Sequence, residues 1–151
     1  MTNDSLIQSI SSMVPEAQIK MGFEYLETFI PIDSLHSFML QLKNNPEMLF
    51  DYLFCVTGVD FSDHLQVIYH LESTTHNHIL VVKVKTNDRE NPVVDSVTDI
   101  WPTAEPHENE VFDLLGIKFN NHPEPRRLFL DDSWGYPLRK DFKDDIHVVS
   151  R

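Results

Sequence analysis

Residues 52–61 (YLFCVTGVDF), 64–72 (HLQVIYHLE) and 78–85 (HILVVKVK) are three runs rich in Val, Ile, Leu and aromatic residues. They are parted only by Ser62-Asp63 and by the polar stretch Thr74–Asn77. In the second run Leu65, Val67, Tyr69 and Leu71 fall on one side, and Gln66, His70 and Glu72 on the other. In the third, Leu80, Val82 and Val84 share a side. Period-two alternation is what a half-buried strand requires. Turns this short join strands running in opposite directions. The three runs predict an antiparallel meander with one buried face, with Cys55 in a core strand as a small buried hydrophobe.

Around the meander the period changes. Leu6, Ile7, Ile10, Met13 and Val14 have helical spacing, with Asp4 as a cap and Pro15 as the stop. Residues 17–32 read as one or two strands. From Asp33 or Ser34 a second helix runs through Leu35, Phe38, Met39 and Leu42, and Asn44-Asn45-Pro46 ends it. Beyond the meander, Asn91-Pro92 followed by Val93, Val94, Val97, Ile100 and Trp101 predicts a third helix, broken at Pro102. A fourth is expected over residues 104–115, with Glu105 and Glu108 near its positive N-terminal end and Gly116 as its C-cap. The expected fold is α+β. It has two layers, with helices on one face of a small mixed sheet that contains the meander, and an extended tail follows. Residues 1–120 form the globular domain and 121–151 the tail.

Charge divides the chain at the same place. Its 151 residues carry a net charge of −12, all of it in residues 1–120, whereas residues 121–151 hold equal numbers of acids and bases and half of all the Lys and Arg. Pro123, Pro125 and Pro137 brace that segment. This reads as an Arg-rich strap behind an acidic body, either solvated or lying on a partner. So acidic a chain is a poor general nucleic-acid binder. One cysteine excludes an internal disulfide framework. Neither an apolar run of membrane-spanning length nor a signal-peptide pattern is seen, so a cytoplasmic protein is expected.

No stretch presents a complete catalytic constellation. His70, His76 and His78 surround one hairpin, but no carboxylate motif completes a metal site. His107-Glu108-Asn109-Glu110 begins like a zinc-protease helix, yet Val111 stands where the second histidine would have to be. Gly-rich phosphate loops and a Gly-x-Ser-x-Gly elbow are absent. Glu110 and Asp113 share a helix face at i, i+3, which reads either as a solvated acidic face or as a pair of acids that hold Arg126 and Arg127.

Residues 108–141, ENEVFDLLGIKFNNHPEPRRLFLDDSWGYPLRKD, resemble the C subunit, or thirty-kilodalton subunit, of proton-pumping NADH:quinone oxidoreductase (respiratory complex I). The family pattern is Glu-Arg-Glu, then Asp, two apolar residues and Gly-Ile, followed by Gly-His-Pro, Arg-Arg, Asp-Asp-Trp and Pro-Leu-Arg-Lys-Asp. It is met by Glu108, Glu110, Asp113, Gly116, Ile117, His122, Pro123, Arg126 and Arg127. Further matches are Asp131, Asp132, Trp134, Gly135, Pro137, Leu138, Arg139, Lys140 and Asp141. Asn109 stands in place of the family's Arg, and Asn121 in place of its Gly.

The resemblance implies a non-catalytic structural subunit of the hydrophilic arm, holding the quinone-site subunits in register. It implies no cofactor on this chain; NADH, FMN, iron–sulfur clusters and quinone would belong to the assembled complex. It also implies subunits D, B and I as partners, without direct membrane insertion, and a peripheral location on the cytoplasmic side of the inner (plasma) membrane. Arg126, Arg127, Arg139 and Lys140 would then be charged anchors and Trp134 an aromatic one. An isolated strap is expected to be partly disordered. Related subunits in membrane-bound nickel–iron hydrogenases and in ferredoxin- or F420-linked quinone reductases stay open as alternatives. So do a metal-dependent hydrolase using His70, His78, His107 or Glu110, and a free-standing adaptor.

Overall fold

The computed structural model describes residues 2–143; the last residues of the strap, 144–151, lie outside the described part. The chain is α+β. Helices α1 (Asn3–Met13) and α2 (Leu35–Asn44) flank a hairpin of β1 (Gln18–Met21) and β2 (Leu26–Phe29). The meander β3 (Tyr52–Asp60), β4 (Leu65–Ser73) and β5 (His78–Thr86) follows. The sheet order is β1-β2-β5-β4-β3. Only the β2–β5 pairing is parallel, so the sheet is mixed. Thr2, rather than Asp4, caps α1 in a reciprocal pair with Ser5.

The core is the alternating face read from the sequence. Leu65, Val67, Tyr69, Leu71, Leu80, Val82 and Val84 are buried in one cluster with Leu6, Ile10, Leu35, Phe38, Met39 and Leu42 of the helices. Cys55 departs from its expected place. The β3–β4 register shifts between Leu53 and Cys55, so Phe54 is an extra residue. Such a bulge inverts the alternation. Leu53 and Val56 are buried, while Cys55, opposite His70, is half-buried and outside that core.

Residues 93–101 are a second departure. Instead of a helix, Val93–Asp95 form strand β6, which pairs in parallel with β7 (Lys118–Asn120), and helix α3 (Ala104–Leu115) crosses between them. Two adjacent β-branched residues favour the strand once a partner strand is available, and residues 97–101 close only a single turn, Trp101 N–H donating to Val97 O. The β6–α3–β7 unit is what positions the strap.

Three contacts seat α3 on the sheet. Trp101 Nε1 donates to Phe50 O at 3.0 Å, and Thr103 Oγ1 to Leu53 O at 3.1 Å. Gly58 opens the third: a Cβ there would run into Leu115 Cδ1 and stand 3.0 Å from Val111 Cγ1. Gly58→Ala is expected to destabilise the fold by about 1–3 kcal/mol through overpacking, read as a lower urea midpoint. An unchanged midpoint would mean that α3 has slack against β3.

Candidate functional site

A helix ends with carbonyls that have no partner inside it. Gly116, with φ +76, ends α3 in the left-handed conformation that suits a C-cap. The strap then returns to the carbonyls left open. Arg127 Nη2 donates to Asp113 O at 2.8 Å, Leu138 N to Leu114 O at 3.0 Å, and Arg139 Nε to Leu115 O at 2.6 Å. Two guanidinium cations thus stand at the negative end of the helix dipole. The Tyr136 ring lies against both, 5.2 Å from Arg127 Cζ and 5.3 Å from Arg139 Cζ. Any Cβ at position 116 would run into that ring at 2.7 Å.

Asp113 is the buried centre of this arrangement. Its carboxylate accepts from Arg127 Nε at 2.7 Å, Phe129 N at 2.8 Å and Leu130 N at 3.1 Å. Burial is the largest single influence and pushes its pKa up, but Arg127 and the two N–H donors together outweigh it and hold the carboxyl below its usual value. Arg127 also donates to Trp134 O and Gly135 O, both at 2.7 Å, which draws the strap into a loop. Glu110 does not join it: among the described residues it pairs with neither arginine, because the strap crosses the last turn of α3. Arg126 is exposed, 3.5 Å from Glu124.

A second latch lies at the end of β3. Asp60 is clasped by Arg89 through two bonds, 2.6 and 2.9 Å, and accepts Lys140 N–H at 2.8 Å. The Arg89 bond is the main reason why its carboxyl stays well below the usual range. Arg89 in turn lies 3.6 Å from Asp141, and its carbonyl accepts Arg139 Nη1 at 2.8 Å. Trp134 stacks on Phe142, and Pro137 is half-buried. The described strap, residues 121–143, is therefore fastened to its own body; the remainder of the strap expected to be partly disordered, residues 144–151, lies outside the described residues. Backbone and guanidinium donors, together with the buried carboxylates of Asp113 and Asp60, supply the fastening.

At its root the strap is held by His122 and Asn109. His122 accepts Glu124 N–H on Nδ1, at 3.0 Å, and so presents Nε2–H to Glu105 O, at 3.1 Å. Asn109 gives Nδ2–H to Glu124 O at 3.3 Å and takes Arg126 N–H at 3.4 Å. Asn121 adopts φ +66, the conformation that glycine takes more easily. Glu108 is fully buried away from the strap and accepts from Ser96 Oγ at 2.8 and 2.9 Å and from Val97 N at 3.0 Å. Burial pushes its pKa up to about 7 against the pull of those donors.

Sequence reasoning found Asp113, Arg127 and Gly116 in their roles, but missed Asp60, Arg89, Tyr136 and the bridging use of Asn109. The spacing between Asp60 and Lys140 carries no local signal. His107 and Glu110 lie on α3, while His70 and His78 belong to the meander. Among the described residues no group of three or more His, Cys, Asp or Glu is placed to hold a metal ion. No described helix is long and apolar enough to cross a membrane.

This geometry defines an α+β domain whose last helix is capped by its own C-terminal strap. The chain belongs to the family described as the respiratory-chain NADH dehydrogenase 30 kDa subunit, whose model matches residues 28–147. It is 36% identical over 144 residues to an NADH-quinone oxidoreductase C subunit of Moorella thermoacetica, covering 93% of this chain and 95% of that one. It is 47% identical over 122 residues to a C/D subunit of Phocaeicola vulgatus, covering 80% of this chain and 23% of that one. A C subunit of Chloroherpeton thalassium is 42% identical over 115 residues, 74% of this chain and 48% of that protein. The chain thus spans about a quarter of the Phocaeicola protein and about half of the Chloroherpeton one. Among solved structures it resembles a chain of the membrane-bound sulfane sulfur reductase, an archaeal respiratory membrane complex. There the TM-score is 0.79 and the identity 27%, over 93% of this chain and 85% of that one.

Two outcomes test the site. Asp113→Asn leaves Arg127 largely buried beside a neutral amide, which is expected to cost about 3 kcal/mol and to open the strap to limited proteolysis near Phe129; an uncut strap would refute its role. Glu108 binds its proton more tightly in the folded chain than at its ordinary 4.5. Its contribution is therefore full below that pH and is lost as pH rises through 7, roughly 3 kcal/mol in all. Glu108→Gln should remove that slope from unfolding curves measured between pH 4 and 8; an identical slope in both proteins would contradict the assignment.

Proposed function

We propose that the chain serves as the C subunit of an NADH:quinone oxidoreductase and that its part is architectural. It holds the neighbouring quinone-site subunits in register and carries no electron. The observation that supports this most is the match to the Moorella C subunit over nearly the whole of both chains. It agrees with a geometry in which Glu110, Asp113, Gly116, His122, Arg126, Arg127, Trp134, Pro137, Arg139, Lys140 and Asp141 lie on or beside a fastened strap, while Glu108, buried away from it, ties α3 to Ser96 and Val97.

What the strap offers outward fits a docking role. Phe129 is 73% exposed and Leu138 48% exposed, next to the exposed cation of Arg126. A strap already seated on its own body loses less conformational freedom on docking. The D subunit is the first partner proposed, because relatives named as C/D subunits carry both names on one chain; subunits B and I complete the set. The chain would sit peripherally on the cytoplasmic side, and NADH, FMN, iron–sulfur clusters and quinone would be bound by other subunits. The sulfane sulfur reductase neighbour favours a second reading, the same architectural part in a complex with a different electron acceptor or donor.

Affinity purification of the full chain from its native membranes tests both readings. Co-purification of subunits B, D and I together with flavin-bearing NADH-input subunits supports the first; B, D and I without them support the second. A chain that purifies alone contradicts both. Arg127→Ala is expected to lower the yield of the co-purified subunits at least several-fold.

A further inference from the structure

The sheet has a second face, turned away from the core, and no described helix covers it. A groove of about 820 Å³ crosses it from Gln18 to Asn87, passing Lys20, Phe29, Phe61, Gln66 and Lys85. The charge here runs against the rest of the body. Residues 1–120 contain only six Lys and Arg, and three of them, Lys20, Lys83 and Lys85, line this groove. Lys83 is held by Glu27 at 3.1 Å and lies 5.2 Å from the centre of the Phe29 ring. Lys20 is exposed, 3.8 Å from the same Glu27. Lys85 is exposed and makes no ion pair among the described residues. Glu27 thus serves Lys20 and Lys83, and three lysines stand against the single lining carboxylate of Glu16 and the nearby Asp63.

Gln66, only 5% exposed, lies on the floor of the groove. In the adjoining depression beside Lys83, His70 Nδ1 is buried without a partner. Buried polar atoms in native structures are nearly all paired, so this orphan is a site that a donor or acceptor from outside the chain can satisfy. Phe61, 45% exposed and stacked on His64, adds apolar area at the rim.

We propose that this groove docks an extended, carboxylate-bearing segment of a neighbouring subunit. Its acidic side chains meet Lys20 and Lys85, its main chain meets the Gln66 amide, and an apolar side chain packs on Phe29 and Phe61. Charge complementarity selects the occupant. A long polyanion is repelled by the net charge of −12 and by Glu16 and Asp63 near the rim, whereas a short acidic segment meets only the basic centre. The proposal rests on the reading of this chain as a subunit of a larger complex, and it places a second contact on the face away from the core.

A photo-crosslinking residue at Phe61 in the full chain, expressed in its own host and irradiated in native membranes, tests it. The same residue at Phe129 on the strap serves as the control. The expected product joins position 61 to a co-purifying subunit, at a segment with at least two Asp or Glu near the attachment point. Lys20→Glu with Lys85→Glu should lower that yield about tenfold, while Lys20→Arg with Lys85→Arg should preserve it. Capture of lipid, capture of residues 144–151 of the same chain, or a yield indifferent to charge reversal overturns the proposal. So does silence at position 61 while position 129 captures a subunit. Silence at both positions overturns the complex reading and the groove with it.

Discussion

The C-terminal end of α3 leaves three carbonyls open, those of Asp113, Leu114 and Leu115, and the strap donates to each of them. Everything distinctive about the molecule follows from that requirement. Gly116 has to turn left-handed to clear the way, and Tyr136 fills the space its missing Cβ leaves. Arg127 and Arg139 serve because a planar guanidinium offers several donors in a fixed fork, which an ammonium cannot reproduce. The buried carboxylate of Asp113 then holds Arg127 in place, and breaking that pair would strand a charge in a region with little water.

The same logic separates the faces of the chain. Around α3 two buried carboxylates are neutralised internally, Asp113 by Arg127 and Asp60 by Arg89. What the described strap turns outward is mixed, with Phe129 and Leu138 exposed among charged side chains that include Arg126, Asp131, Asp132 and Lys140. On the open side of the sheet the balance reverses, with three lysines lining one groove and His70 Nδ1 unpartnered in the depression beside it. Under the proposed function, the strap and the lysine-lined groove would be recognised by different neighbours through different physical features.

The meander was legible residue by residue, because its alternation is a local signal and its turns are short. The single exception, Cys55, follows from one extra residue in β3, which a period-two pattern does not register. Residues 93–101 were misread as helix because apolar spacing there also fits a helical face; the deciding factor, a parallel partner at Lys118–Asn120, lies more than twenty residues away. At the site, Asp113 and Arg127 were legible as a pair from type and proximity. Glu110 shared the helix face but not the strap's path, and no sequence pattern distinguishes the two. Asp60 and Lys140, eighty residues apart, could be joined only by the fold.

The account rests on a strap that is fastened before any partner arrives. Amide hydrogen exchange on the isolated full-length chain measures this directly at four positions whose N–H groups are committed: Phe129 and Leu130 to Asp113, Leu138 to Leu114 O, and Lys140 to Asp60. Exchange slowed at least a hundredfold relative to an unstructured chain, corresponding to roughly 3 kcal/mol, is the predicted result. Exchange at the unstructured rate at all four amides would contradict it.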